Sequence, residues 1–375
     1  MVDLKEKILI NDAYYQALLA DILEAKQSID LEVYIFAEDA LGLKIANALA
    51  VAAKRGVKVR VLVDGVGTSW GGEISILMEK AGVVTRVFHP LPWVLRHFLK
   101  THMKTSLFSK MIYLIHKINK RNHRKTSLID HEIAYVGSAN MSRSHLSREA
   151  NGEGFRDTTV RISGVDFQPL EVAFERAWHR YPLYERATFI FQKVKYNSYF
   201  RLNDSWRRRR ALYKEMLKRL SHSQKRIWIT NAYFIPDSVL LKKLIQAARR
   251  GVEVKILLPY RSDVFIYPLI SAFFYTQLLK SGIEIFEYKP SVLHAKILMI
   301  DDWYCVGSSN LNYRSLRHDL EVDVNLQTQA AKITLEKQFM LDLDQAQKVD
   351  LEQIKQQPRY KKIFAWILLY LQYWF

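Results

Sequence analysis

The sequence is poor in cysteine, glycine and proline, and it has no long apolar run. Cys305 is the single cysteine in 375 residues, which excludes an intrachain disulfide and a cysteine-based zinc site. With 14 glycines, 9 prolines and 49% hydrophobic residues, collagen-like, low-complexity and disordered classes are excluded. No stretch reaches the roughly 18 apolar residues of a transmembrane helix, and the N-terminus lacks the apolar core of a signal peptide. We therefore expect a folded protein of a reducing compartment.

Positive charge is what the chain has in excess. It carries 56 Lys and Arg against 38 Asp and Glu, a formal net charge of +18. A protein this basic attracts polyanions, and nucleic acid and the anionic face of a membrane are the two candidates. Composition alone does not choose between them.

An internal repeat organises the chain. The segments 29–63 (IDLEVYIFAEDALGLKIANALAVAAKRGVKVRVLV) and 227–258 (IWITNAYFIPDSVLLKKLIQAARRGVEVKILL) both read as strand, loop, amphipathic helix, Arg-Gly and strand. Gly56 and Gly251 stand where a helix end favours left-handed backbone. A strand–helix–strand unit predicts a right-handed parallel crossover, and the apolar second strand predicts a sheet covered on both faces.

The repeat predicts an α/β fold of two similar halves, residues 1–196 and 197–375. We expect each half to be a mixed, mostly parallel sheet flanked by helices, and a pseudo-twofold axis to relate the halves. The first half is longer between its crossover and the next matching segment. We place this insert near residues 91–120.

A second pair of matching segments carries the chemistry. Residues 123–140 (HRKTSLIDHEIAYVGSAN) and 294–310 (HAKILMIDDWYCVGSSN) both read His-x-Lys-x4-Asp and then Gly-Ser-x-Asn. Alternate residues of a strand share a face, so each His lies beside its Lys, and a hairpin return brings the Asn back to them. The residues supplied twice are His123, Lys125, Asp130, Ser138 and Asn140, matched by His294, Lys296, Asp301, Ser308 and Asn310.

Packing the halves about the pseudo-twofold axis would bring two imidazoles, two ammoniums and two amides together. Such a pocket suits a phosphate, with one His attacking phosphorus while the other protonates the leaving oxygen. Either motif alone is a weak signal, because an HxK on a strand and a GSxN in a turn are common accidents. Two complete copies in register with an independent repeat are a strong one.

The duplicated HKD motif resembles that of the phospholipase D superfamily, over roughly Ile29–Val324. Four shorter motifs are similar to the bacterial cardiolipin synthase branch of that superfamily: FRDTTVRISG (155–164), GSSNLNYRSLRHDLEV (307–322), YIFAED (34–39) and NAYFIPD (231–237). The missing N-terminal membrane span resembles the short peripheral type of these synthases.

The resemblance implies a role for each matching residue. His123 would be the nucleophile that forms a phosphatidyl-histidine, and His294 the general acid and then base, although the two could be exchanged. The catalytic set implied is His123, Lys125, Asp130, His294, Lys296 and Asp301. The set implied to bind the substrate phosphate is Asn140, Asn310, Ser138 and Ser308.

Two carboxylates match the positions that orient a catalytic His through its other ring nitrogen, Asp157 and Glu321. Asp130 and Asp301 complete the motif, and a structural role is the alternative for them. The resemblance implies no metal and no cofactor, because the ammoniums already supply positive charge.

Two segments suggest a membrane surface. Leu91–Lys125 interleaves basic and apolar residues and holds no Asp or Glu. Tyr360–Phe375 is short and aromatic and carries Lys361 and Lys362 near its start. Packing on the protein's own core is the alternative for both.

The resemblance therefore implies a cardiolipin synthase that joins two phosphatidylglycerols and releases glycerol, peripheral on the cytoplasmic side of the cell membrane. A phosphatidylserine synthase or a hydrolytic phospholipase D would use the same residues. A nuclease is less favoured, because the apolar insert and tail do not suit a nucleic-acid partner. The acceptor and donor lipids, transfer against hydrolysis, and the oligomeric state stay open.

Overall fold

Two sheets, one from each half of the chain, form the framework of the protein. The computed structural model describes residues 3–90, 120–179 and 199–356, together with Leu368 and Leu369. The insert near 91–120, except Lys120, lies outside the described residues, as does most of the tail. The predicted boundary between residues 196 and 197 also lies outside them.

The first sheet has seven strands in the order β1-β7-β6-β5-β2-β3-β4. In chain order its elements are β1 (Lys5–Ile10), α1 (Asp12–Glu24), β2 (Ser28–Val33), α2 (Ala40–Lys54), β3 (Lys58–Asp64), α3 (Glu73–Lys80), β4 (Val84–Phe88), β5 (Thr126–Ile129), β6 (Ile133–Gly137), β7 (Thr158–Ser163) and α4 (Gln168–Trp178). A 3-10 turn, Arg143–His145, lies between β6 and β7.

The second sheet has eight strands in the order β15-β11-β10-β9-β12-β13-β14-β8. Its elements are β8 (Phe200–Leu202), α5 (Trp206–His222), β9 (Arg226–Thr230), α6 (Ser238–Arg249), β10 (Glu253–Pro259), α7 (Ile266–Leu279), β11 (Glu284–Tyr288), β12 (Ile297–Ile300), β13 (Trp303–Gly307), α8 (Tyr313–Arg317), β14 (Val322–Asn325), α9 (Gln329–Asp344), β15 (Ala346–Lys348) and α10 (Leu351–Gln356).

Read from β8, the second sheet repeats the strand order of the first sheet, with β15 added at the last edge. The α/β fold of two similar halves is therefore confirmed. We expected each sheet to be mixed and mostly parallel. Both sheets are mixed, but most of their strand pairs are antiparallel. Only β2-β3-β4 and β9-β10-β11 run parallel, and the other neighbouring strands described are antiparallel. The reason is local: helical crossovers make parallel neighbours, whereas the motif strands β5-β6 and β12-β13 are joined by tight turns.

The predicted crossovers form as the sequence indicates. In α2 the side chain of Asp39 caps the N-terminus, and in α6 Asp237 does the same. Gly56 and Gly251 follow the helix ends at φ of 95° and 90°, a conformation that glycine adopts without strain. The two crossovers are therefore one local design used twice.

The halves meet through a shared apolar core. One cluster joins Val136 and Val160 of the first sheet to Met299 and Val306 of the second, all four fully buried. A buried ion pair crosses the same boundary, where Arg156 donates to both carboxylate oxygens of Asp342 at 2.9 and 2.8 Å. The two sheets therefore pack as one body.

Among the helices of the described residues, none is both long and apolar enough to cross a bilayer.

Candidate active site

The two His-Lys pairs lie just before β5 and β12 and are largely buried. His123 keeps 9% of its surface exposed and His294 keeps 3%. The Nζ of Lys125 donates to the carbonyl oxygen of His123 at 2.7 Å, and Lys296 donates to that of His294. Each ammonium is thereby held against the histidine of its own motif.

Backbone contacts between the halves bring the motifs together. The N–H of His123 donates to the carbonyl of Leu320 at 3.0 Å, and that of His294 donates to Arg156 at 2.9 Å. Each histidine is thus bonded to the residue just before a carboxylate of the other half. The pattern is the same in both directions, as a pseudo-twofold arrangement requires.

The imidazole–carboxylate pairs are crossed between the halves. The Nδ1 of His123 lies 3.0 Å from Oε1 of Glu321, and the Nδ1 of His294 lies 2.8 Å from Oδ1 of Asp157. An ionised carboxylate only accepts, so each Nδ1 carries the proton. The Nε2 atom of each ring is therefore the one that can attack or exchange a proton.

The site favours neutral imidazoles. Burial, followed by the ammoniums of Lys125 and Lys296, lowers the pKa of His123 well below its usual range. Burial and Lys296 likewise lower the pKa of His294, against the opposing effect of Asp157. A neutral Nε2 is a nucleophile, which suits attack on phosphorus.

The lysines are held close to losing their protons. Burial lowers the pKa of Lys125 to about 8 and that of Lys296 to about 7. The charge of Lys296 also lowers the pKa of His123 in the other half. The two motifs therefore share one electrostatic site. A bound phosphate anion would restore the charge that burial opposes.

The serine hydroxyls hydrogen-bond to the carboxylates, whereas we expected them to contact the substrate phosphate. Ser138 donates to Asp157 at 2.6 Å, and Ser308 donates to Glu321 at 2.5 Å. Both serines are fully buried, and each hydroxyl has a single proton to give. We infer that they fix the carboxylates rather than contact the substrate.

The two asparagines are buried beside the motifs but differ in their partners. Asn140 accepts from the N–H of Ile35 at 3.2 Å. The Oδ1 of Asn310 is buried without a hydrogen-bond partner among the described residues. Their expected contact with phosphate stays a prediction.

Asp130 and Asp301 lie away from the histidines, which corrects their place in the catalytic set. Each stands in the hairpin turn at the far end of a motif strand, about 16 Å along the chain from the lysine. Asp130 accepts from the N–H groups of Lys26, Gln27 and Ser28. Asp301 repeats this pattern in the second half, with 224–226 as the donors. Both carboxylates anchor a hairpin to the adjacent strand.

Three aromatic rings complete the site without having been predicted from the sequence. Tyr34 lies 5.1 Å from the ring of His123, and Tyr233 lies 6.2 Å from that of His294, between ring centroids. His145 lies 5.3 Å from His294 and bonds to Asp157. Repetition gave no signal for His145, since only the first copy has a histidine five residues after the GSxN asparagine.

One trio in the described residues has the composition of a metal site. The ligand atoms of His145, Asp157 and His294 lie within 4.8 Å of one another. Both imidazoles direct Nδ1 at the carboxylate, so the trio forms a hydrogen-bonded group as it stands.

The chain is similar to known proteins over most of its length. The model of the family "Cardiolipin synthase, PLD-like domain" matches residues 18–178 and 216–343. Cardiolipin synthase B of Salmonella typhimurium is 32% identical over 348 residues, covering 86% of this chain and 76% of the relative. Cardiolipin synthase B of Escherichia coli K12 is 34% identical over 325 residues, covering 84% and 74%. The chain belongs to the phospholipase D-like cardiolipin synthase family.

A solved structure supports the fold of this family. The phosphatidylserine synthase of Haemophilus influenzae superposes with a TM-score of 0.70 at 14% identity, covering 98% of this chain and 93% of that one. At this identity the likeness concerns the fold, a pair of similar α/β halves.

Proposed function

We propose that this protein is a cardiolipin synthase, a phosphatidyltransferase that joins two phosphatidylglycerols into cardiolipin and glycerol. The match to the cardiolipin synthase family carries the choice of substrate, and the crossed pairing of His123 with Glu321 and of His294 with Asp157 supports the chemistry. Two tautomer-fixed imidazoles, each beside the ammonium of its own motif, suit a two-step transfer at one phosphorus.

In the first step the Nε2 of His123 attacks the phosphorus of one phosphatidylglycerol. The bond from phosphorus to the glycerol oxygen breaks, and His294 gives its Nε2 proton to that oxygen. Binding of the anionic phosphodiester offsets the ammonium charges that oppose protonation of His294. The products are glycerol and a phosphatidyl group on His123.

In the second step a glycerol hydroxyl of another phosphatidylglycerol attacks the same phosphorus. His294 takes the hydroxyl proton, the P–N bond breaks, and its electron pair returns to His123. Burial of the imidazoles limits access of water, which supports transfer to a lipid alcohol over hydrolysis.

The test uses purified protein, phosphatidylglycerol vesicles and a chelator, with lipid products resolved by mass. Cardiolipin with free glycerol is the expected result. Phosphatidic acid alone would indicate a hydrolase, and would refute the proposal. His123→Ala should abolish turnover, and near-wild-type rates in this variant would also refute it.

We propose further that the protein binds the cytoplasmic face of the cell membrane as a peripheral protein. The net charge of +18 and the basic, apolar insert support this placement. Leu368 and Leu369 of the tail pack in the core of the second half, which leaves the insert as the better candidate for contact.

Vesicle co-sedimentation tests this placement. Lys104→Glu with Lys110→Glu should weaken binding to anionic vesicles. Lys44→Glu with Lys242→Glu changes net charge equally at two exposed sites elsewhere and serves as the control. Equal loss of binding in both pairs would contradict a role for the insert.

A further inference from the structure

His145 breaks the symmetry of the site. It lies five residues after Asn140, and the matching position after Asn310 is Ser315. Both positions belong to short helical turns, and both side chains bond to the carboxylate of their own half. The two halves therefore support their carboxylates with different chemistry at one equivalent position.

Asp157 accepts from two imidazoles at once. The Nδ1 of His145 lies 2.5 Å from Oδ2, and the Nδ1 of His294 lies 2.8 Å from Oδ1. His145 is 3% exposed and Asp157 is 1% exposed, so water does not replace these contacts. A carboxylate that accepts from two N–H donors and one hydroxyl is a weak base.

The other ring nitrogen of His145 points back to the motif. Its Nε2 lies 3.5 Å from Nδ2 of Asn140, and the amide nitrogen is a donor. In the tautomer that donates from Nδ1 to Asp157, Nε2 can accept from this amide. The ring thus links the amide expected at the phosphate to the carboxylate behind His294.

Glu321, the carboxylate of the second half, has a serine, Ser315, in place of the second imidazole that His145 supplies to Asp157. Its oxygens accept from the hydroxyls of Ser308 and Ser315 and from His123. Burial raises the pKa of Glu321 to about 7. Burial also acts to raise the pKa of Asp157, but His145 and His294 outweigh it and hold that pKa well below its usual range.

We propose that His145 is a positioning residue that keeps Asp157 an ionised acceptor, so that the proton used in the transfer resides on Nε2 of His294 and not on the carboxylate. The proposal rests on the proposed function in assigning His294 as the general acid. His123, whose carboxylate lacks this support, is the neutral nucleophile. The repeat makes the two histidines equivalent in sequence. They take different roles because the carboxylates that hold them have different partners.

The test compares two leaving groups in single-turnover reactions. Glycerol leaves phosphatidylglycerol only when it is protonated, whereas p-nitrophenolate leaves phosphatidyl-p-nitrophenol without an acid. His145→Ala should slow glycerol release about 100-fold and leave p-nitrophenolate release near the wild-type rate. His145→Asn keeps an N–H donor and should recover most of the glycerol rate.

Ser315→Ala is the matched control in the second half. It acts on the nucleophile through Glu321 and should slow both leaving groups together. Circular dichroism of each variant reports folding, and the ratio of the two rates is independent of the folded fraction.

Equal slowing of both leaving groups in His145→Ala would overturn the proposal. So would a glycerol rate in His145→Asn no better than in His145→Ala, or a leaving-group effect confined to Ser315→Ala. Wild-type protein that releases both leaving groups but makes no cardiolipin would refute the proposed transfer, and the ratio would still test His145.

Discussion

The two lysines of the site are buried, which disfavours their charged form. Lys125 and Lys296 are each 4% exposed or less, and burial lowers their pKa to about 8 and about 7. A tetrahedral oxyanion bound at these ammoniums would supply the missing negative charge. We therefore expect anion binding to stabilise the folded protein.

We predict that vanadate stabilises the protein through these lysines. At 100 times its dissociation constant an anion adds about 2.7 kcal/mol to the free energy of unfolding, which thermal denaturation detects. The shift in melting temperature should fade as pH rises through about 7 to 8, because the ammoniums lose their protons. Lys125→Met with Lys296→Met should show no shift, and an equal shift in this variant would contradict the assignment.

The same groups predict a narrow pH profile for kcat/KM. Glu321 must be ionised to hold His123, and its raised pKa of about 7 means that activity falls as pH drops below 7. Both lysines must be charged, so activity also falls as pH rises through about 7 to 8, as Lys296 and then Lys125 lose their protons. We expect a narrow maximum near pH 7 in a lipid assay at constant ionic strength. Full activity at pH 5 would contradict the role of Glu321.

The sequence predicted the residues of the duplicated motif and missed the rings of Tyr34, Tyr233 and His145 beside them. His123 and His294 stand out because two long patterns repeat in register. His145 has no counterpart in the second copy, so repetition could not reveal it. The crossing of the pairs was also hidden, because His123 and Glu321 are 198 residues apart and a motif does not say which half supplies its partner.

At the scale of elements, the motif aspartates hold hairpins in register. Asp301 accepts from three backbone N–H groups of the segment that enters β9. Partial burial opposes its ionisation, but these hydrogen bonds outweigh burial and lower its pKa.

We predict that Asp301→Ala lowers the free energy of unfolding by about 1–3 kcal/mol, through lost hydrogen bonds to a charged group. The folded fraction should keep its kcat/KM, since the carboxylate does not reach the histidines. Asp302→Ala, at the exposed neighbouring position, is the control and should have little effect. Urea denaturation and turnover measured together decide the matter, and loss of kcat/KM in the folded variant would return Asp301 to the catalytic set.

The crossover helices were predictable from local signals, whereas the balance of strand directions was not. A capping aspartate and a C-terminal glycine mark each helix, so the strand–helix–strand units could be read directly. Antiparallel pairing of β1 with β7 and of β8 with β14 joins segments far apart in the chain. No local pattern encodes such a pairing.

At the scale of the whole molecule, activity depends on how the halves fit. Arg156 links them, because its guanidinium pairs with Asp342 while its carbonyl accepts from the N–H of His294. Both charged side chains are buried, so removing one partner leaves the other uncompensated.

We predict that Asp342→Asn lowers the free energy of unfolding by about 3–5 kcal/mol and also lowers kcat. The kcat falls because the segment that carries His294, just before β12, is bonded to the backbone of Arg156 and loses this anchor. Asp344→Asn, at an exposed position in the same helix, is the control and should change neither. An Asp342→Asn protein with reduced stability and wild-type kcat would show that the ion pair does not position the site.

The central claim is that His123 and His294 act in turn on one phosphodiester, and intact-protein and peptide mass spectrometry after acid-free quenching tests it most directly. With phosphatidyl-p-nitrophenol, whose leaving group needs no acid, the account predicts a phosphatidyl group on His123. This adduct should persist in His294→Ala, because the second step lacks its base. Turnover without a covalent adduct on either histidine would contradict it.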